Sequence, residues 1–97
     1  MIRSNAVLPI ARVIPGAVAE LLRASPLSPG KVDFAWRTAV GPAVQRVSAV
    51  RLENQVLLVD ASSRQWSAEL SRSSPVILQR MQWLLGADVI REIVIRA

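Results

Sequence analysis

The side chains in this sequence that could act as nucleophiles are serines, and no neighbouring group activates them. The sequence contains no histidine and no cysteine, and its single lysine, Lys31, is remote in sequence. A serine hydroxyl needs an adjacent base to attack a substrate. We therefore expect helix-capping and loop roles for five serines that surround the third helical region. They are Ser62, Ser63, Ser71, Ser73 and Ser74.

The carboxylates show no arrangement for acid–base or metal chemistry. Seven acidic residues are interspersed with basic ones, and histidine, cysteine and tyrosine are all absent. General acid–base catalysis and metal binding both need such groups at defined spacings. The sequence thus predicts a protein that is not an enzyme, with no catalytic residue, no metal site and no cofactor.

Arginine is the residue type that remains for a chemical role. Eleven arginines and one lysine against seven acids give a net charge of +5, which is typical of proteins with an anionic partner such as nucleic acid. The alternative is an ordinary solvated surface, because a local patch and not a net charge marks a nucleic-acid site. Our candidates for phosphate contacts are Arg37, Arg46, Arg51, Arg64, Arg72 and Arg80.

The three tryptophans have different expected roles. Trp36 lies within an apolar helical stripe, so we predict that it is buried in the core. Trp66 follows a hairpin and either packs on the sheet or stacks on a base. Trp83 is out of phase with Met81 and Leu84 and is predicted to be partly exposed. Trp66 and Trp83 are therefore the candidates for a partner surface.

A β-hairpin within residues 47–70 is the element around which the rest must be arranged. Its first strand alternates, with Val50 and Leu52 on one face, and a polar turn is expected at Glu53–Asn54. The second strand, residues 56–59, is apolar on both faces, as expected of a central strand.

Helices are predicted on both sides of the hairpin. The first runs from about Pro15 to Ala24, with an apolar face formed by Val18, Leu21 and Leu22. The second is capped by Ser28, begins with Pro29 and ends at Gly41–Pro42, and residues 43–46 form a short turn. Its amphipathic stripe consists of Val32, Ala35, Trp36, Ala39 and Val40.

The third helical region begins at Ser63, where Ser62 and Gln65 fit a capping box. At Pro75 the chain either kinks or starts a new helix capped by Ser74. This region ends at Gly86. The last strand spans residues 89–96.

These elements predict one α+β domain of order α-α-β-β-α-(α)-β, whose helices pack on one face of a small three-stranded sheet. Residues 1–14 are expected to form a loose N-terminal extension before the domain at 15–97. No apolar run approaches the ~20 residues needed to span a membrane. Arg12 and Pro9 also interrupt the only stretch that imitates a secretory signal.

Four segments resemble the DciA family, which consists of accessory proteins of the bacterial replicative helicase. Residues 36–41 resemble its Trp-x-x-x-Val-Gly signature, and residues 54–59 resemble its polar turn followed by a Leu-x-Val strand. Residues 62–70 resemble its Ser-x-x-Trp-Ala-x-Glu-Leu segment, and residues 93–96 resemble its closing Ile-x-Phe-Arg strand.

The resemblance implies a KH-like fold over residues 15–97 and a non-enzymatic role. By this resemblance the protein engages the replicative DNA helicase, assists its loading, and binds DNA, with single-stranded or forked DNA as the expected form. It implies a cytoplasmic, nucleoid-associated protein that does not contact membranes.

Two departures from the family pattern limit this expectation. Longer members carry a basic, disordered C-terminal tail, whereas this sequence ends at Ala97 directly after the last strand, so contacts made by such a tail are not expected here. The Gly-x-x-Gly loop with which KH domains clamp nucleic acid is also absent. The alternative is a protein-interaction module without nucleic-acid binding, which forms a homodimer through the edge of its last strand.

Overall fold

The structure, a computed structural model, describes residues 16–97 of the 97-residue chain. The expected N-terminal extension at 1–14 and the helix start at Pro15 lie outside the described residues. Eight elements follow one another: α1 (Gly16–Ala24), α2 (Pro29–Val40), α3 (Pro42–Gln45), β1 (Ser48–Glu53), β2 (Val56–Ala61), α4 (Arg64–Arg72), α5 (Ser74–Leu85) and β3 (Glu92–Arg96).

The three strands form one sheet of order β1-β2-β3, which confirms the α+β class and the central position of the second strand. β1 pairs antiparallel with β2, and β3 pairs parallel with β2. The parallel pairing requires a crossover, which α4 and α5 provide. One sheet face carries the buried Leu57 and Val59 beneath the helices, whereas the other carries the exposed Arg51 and Asp60.

The hairpin turn lies one residue later than predicted. Glu53 pairs with Val56, so the loop consists of Asn54 and Gln55, whose φ angles are 51° and 67°. A two-residue loop between twisted strands needs two consecutive left-handed residues. Asparagine accepts this conformation readily but glutamine does not, which explains why the sequence pattern placed the turn at Glu53–Asn54.

The predicted stripe of α2 is confirmed, since all five of its members are buried. Its largest member, Trp36, is 1% exposed, and its indole Nε1 donates a hydrogen bond to Ser48 Oγ at 3.0 Å. Ser48 Oγ in turn donates to the carbonyl of Val44 at 2.7 Å. The buried indole N–H is thus satisfied, and α2, α3 and β1 are held together at one point.

The predicted face of α1 is partly wrong. Leu22 is buried as expected, but Leu21 is 70% exposed and Ala19 is buried in its place. α1 packs against α5 on one side. The small side chain of Ala19 allows close approach there, and Leu21 lies outside this contact.

The predicted Ser28 cap of α2 is confirmed, since its Oγ accepts from Lys31 N at 3.1 Å, but the predicted serine caps of α4 and α5 are each displaced by one residue. The N-cap of α4 is Ser63, whose Oγ accepts a hydrogen bond from Trp66 N at 3.1 Å, so the capping box based on Ser62 is wrong. Ser62 still belongs to the sheet because its N–H donates to Val47 O at 2.8 Å. A new helix does begin near Pro75, but its N-cap is Ser73 and not Ser74.

The last strand is shorter than predicted. Ile90 is buried before β3 begins, in a loop held by a hydrogen bond of 2.9 Å from Gln82 Nε2 to Ile90 O. Gly41 and Gly86 end α2 and α5 with φ angles of 90° and 110°, as predicted for these two helix ends. Among residues 16–97, no helix is long and apolar enough to cross a membrane.

Candidate nucleic-acid and partner interfaces

Three exposed arginines lie at the end of the sheet where β1 begins and where β2 and β3 end. The hydrogen bond from Ser62 N to Val47 O joins the first two strands at this end. Arg46 directly precedes Val47, and Arg64 follows Ser62 by two residues. We call the set Arg46, Arg64 and Arg96 the basic end.

Arg96 belongs to the basic end because it pairs in register with Asp60 at the end of β2. Its Nε lies 2.7 Å from Asp60 Oδ1, in an ion pair whose two side chains are half exposed. Asp60 is the one acidic residue in this part of the sheet. The strand order therefore places Arg46, Arg64 and Arg96 at the same end of the sheet, and Arg96 is the one that pairs with Asp60.

Most of the acidic residues near the sheet lie at the opposite, hairpin end. Glu53 and Glu92 both pair in register with Val56, on either side of the central strand. Asp88 is nearby, since Gln55 Nε2 donates to its backbone carbonyl at 2.7 Å. The hairpin end thus holds three carboxylates together with Arg51 and Arg91, whereas the other end holds one carboxylate and three arginines.

Three of the arginines that were predicted to bind phosphate contact other groups of the protein instead; two of them form ion pairs, and the third, Arg80, contacts a backbone carbonyl. Arg51 lies on the open sheet face, with its Nε 3.0 Å from Glu53 Oε2. Arg72 at the end of α4 forms an ion pair with Glu69. The structure brings neither of them to the basic end.

Arg80 has a structural role. Its Nη1 lies 3.4 Å from the carbonyl oxygen of Ala39 in the last turn of α2, where a cation is favourable. Partial burial of the guanidinium lowers the pKa of Arg80. Arg37, the remaining candidate, is exposed on α2 and forms no ion pair among residues 16–97.

The sequence-based candidates thus include Arg46 and Arg64 but not Arg96. Arg96 closes the last family-like segment, Ile93 to Arg96, so it was visible as part of a motif. Arg96 lies near Asp60 only because β3 pairs parallel with β2. This pairing could not be predicted from a local sequence pattern.

The two candidate partner tryptophans differ in exposure. Trp66 is partly buried and packs against the core. Trp83 is 44% exposed, as predicted, and Val76 on the same helix is also 44% exposed. Because seven residues separate them, both lie on one side of α5. We call Val76 and Trp83 the α5 stripe.

The last turn of α5, which contains Trp83, is bonded to α1. Arg23 Nη1 donates to the carbonyl of Trp83, which places a cation at the C-terminal end of α5. This bond holds the backbone of the exposed tryptophan in place, so its ring is presented on an ordered helix.

The described residues form a small α+β domain with a basic end and with Val76 and Trp83 exposed on α5. Within residues 16–97, no three histidine, cysteine or carboxylate side chains are grouped so as to hold a metal ion. The model of one protein family, described as "Dna[CI] antecedent, DciA", matches residues 9–95. The chain belongs to this family, which confirms the resemblance found in the sequence. Its members are non-enzymatic replication proteins with a helicase-loading role. No curated protein and no solved structure matches the chain.

Proposed function

We propose that this protein is a non-enzymatic adaptor that engages the bacterial replicative helicase and assists its loading on DNA. In this role it binds single-stranded or forked DNA through the basic end. Family membership supports the helicase role. The observation that carries the DNA role is the position of Arg46, Arg64 and Arg96 at one end of the sheet. The proposal also implies a cytoplasmic location at the nucleoid.

The arginines replace the usual KH contact in this proposal. We retain the KH-like description because α4 and α5 connect the parallel strands β2 and β3. The junction between the two helices is Ser73 alone and holds no glycine. A Gly-x-x-Gly clamp on the DNA backbone is therefore not available there, and phosphate contacts fall to guanidinium groups.

The DNA role can be tested by fluorescence anisotropy with a labelled oligothymidylate over a NaCl series. Each phosphate contact on a single strand contributes about −0.7 to the slope of log K against log[salt]. We expect Arg46→Ala combined with Arg64→Ala to make the slope shallower by about 1.4, since two contacts are lost.

The matched control for this experiment is Arg72→Ala. Arg72 is on the same nine-residue helix as Arg64 but at its other end, roughly 12 Å away along the axis. We expect its slope to equal that of the wild type. A loss in Arg72→Ala half as large as the loss in the double variant would show that net charge alone drives binding and would reject the basic end.

For the helicase contact we propose the α5 stripe, with Trp83 as its anchor. Tryptophan is enriched among residues that dominate binding energy, and truncation at such a position costs about 2 kcal/mol or more, roughly a thirtyfold loss of affinity. We therefore expect Trp83→Ala to weaken binding to the host helicase by about that factor in surface plasmon resonance.

Phe34→Ala provides the control for Trp83→Ala. Phe34 is an aromatic residue of similar exposure, 51%, on α2. We expect unchanged helicase affinity for this variant. If Trp83→Ala binds the helicase as tightly as the wild type, the α5 stripe is not the contact surface. If the wild-type protein does not bind the helicase, the adaptor proposal is rejected.

A further inference from the structure

Two adjoining cavities follow the outer edge of β1. One has a volume of about 620 Å³ and the other about 390 Å³. Asp33 of α2 and Val50 of β1 line both, so the cavities form one continuous depression between α2 and β1. We call this depression the β1 slot.

The backbone of β1 presents unused hydrogen-bonding groups to the slot. In an antiparallel pair, alternate residues bond to the partner strand and the others point away from it. The bond from Ser62 N to Val47 O shows that the odd-numbered residues of β1 bond to β2. The N–H and C=O groups of Ser48, Val50 and Leu52 therefore face outwards, and no other described strand pairs with them.

The side chains of the slot favour an apolar and cationic occupant. Leu27 is 55% exposed, and Val50 and Leu52 are partly exposed. Asp33 and Asp88 also line the slot, and neither forms an ion pair among residues 16–97. Two cations line the slot: Arg51 in the larger cavity, which is paired with Glu53, and Arg46 in the smaller cavity, which Asp33 also lines.

We propose that the β1 slot receives an extended polypeptide segment of a partner protein, which pairs with β1 as a fourth strand. Strand addition of this kind takes its affinity from main-chain hydrogen bonds and its specificity from alternate side chains. The open edge from Ser48 to Leu52 accommodates about five residues, or roughly 13 Å of extended chain. Alternate side chains of the segment are apolar and enter the slot, and its lysine or arginine side chains approach Asp33 and Asp88. The slot is separate from the α5 stripe, and Arg46 is the one member of the basic end that lines it, in the smaller cavity. The proposed strand pairing does not depend on the helicase role.

A random-octapeptide display selection against the full-length chain tests the proposal. We expect enriched peptides with apolar residues at every second position and with lysine or arginine among the others. Resynthesised peptides should shift the backbone amide resonances of Val50 and Leu52. Methylation of alternate peptide nitrogens, which removes main-chain donors but keeps the side chains, should reduce the affinity at least tenfold.

A charge reversal within the slot supplies the second readout. Asp33 is exposed on α2, so Asp33→Lys leaves the core intact. We expect this variant to bind the enriched peptides with at least tenfold lower affinity. Glu20→Lys is the matched control, since Glu20 is exposed on α1 and does not line the slot. The proposal is overturned by a selection without enrichment, by resonance shifts elsewhere, or by equal losses in the two variants.

Discussion

At the scale of single residues, the hydroxyl of Ser48 connects the core tryptophan to the sheet. Trp36 was recognised as a core residue from its helical spacing, but its hydrogen-bond partner was not. Ser48 lies 12 residues further along the chain, and only the packing of α2 on β1 brings the two side chains to 3.0 Å. A pattern along one element does not show which polar group satisfies a buried donor on another.

Replacing Ser48 tests this contact. Ser48→Ala leaves the indole N–H of Trp36 buried without a partner, and we expect a loss of about 1–3 kcal/mol in the free energy of unfolding. Urea unfolding followed by tryptophan fluorescence measures the change. Ser48→Thr is the control, because it retains the hydroxyl and a β-branched residue suits a strand. An alanine variant as stable as the wild type would show that the bond contributes nothing.

The exposed and buried leucines of α1 provide a second test at this scale. Leu22 is 9% exposed, so we expect Leu22→Ala to cost about 2–3 kcal/mol through the loss of buried surface. Leu21 is 70% exposed, and we expect Leu21→Ala to change stability by less than about 0.5 kcal/mol. Thermal unfolding of the two single variants measures both. Similar losses of stability in the two variants would instead support the apolar face that was predicted from the sequence, with Leu21 buried.

At the scale of elements, the hairpin loop contains a strained residue. Gln55 has a φ of 67°, and its Nε2 bonds to Asp88 O at 2.7 Å. Gln55→Gly and Gln55→Ala both remove this bond, but only glycine adopts the left-handed conformation without strain. We expect the glycine variant to be more stable than the alanine variant by about 1 kcal/mol, a difference of about 4–8 °C in the unfolding midpoint. Equal midpoints would mean that the loop relaxes into another turn type.

The helix boundaries show how far local patterns reach. Gly41 and Gly86 were correctly predicted as helix ends, because each is a lone glycine after an apolar stripe. The caps of α4 and α5 were each predicted one residue off, since serines occupy adjacent positions and are equally good caps by type. The cap of α4 is identified by the hydrogen bond from Trp66 N to Ser63 Oγ, whereas the backbone N–H of Ser62 bonds to Val47 at the end of the sheet.

At the scale of the whole molecule, the sequence predicted the fold class better than it predicted the site. Apolar periodicity is strong enough to define the two long helices α2 and α5 and the central strand. The basic end depends on which strand ends lie side by side, and that follows from the parallel pairing of β2 with β3. Net charge indicated an anionic partner, but it did not indicate that arginines outnumber carboxylates at one end of the sheet.

The remaining question at this scale is whether the protein pairs with a second copy through β3. That strand is an edge of the sheet, but it is only five residues long and carries Glu92 and Arg96 at its ends. Short strands with charged ends resist edge-to-edge pairing. We therefore expect sedimentation equilibrium to give a monomer of 10.6 kDa at the concentrations used for DNA binding.

Val94→Lys is the informative variant for this question. Val94 is 38% exposed on the open sheet face, whereas Ile93 packs against the core, so a lysine at position 93 would destabilise the fold itself. If the protein is monomeric, Val94→Lys leaves its sedimentation unchanged. A wild-type dimer that Val94→Lys converts to a monomer would instead favour the homodimerisation module. The basic end would then have to act on DNA from a symmetric pair of domains.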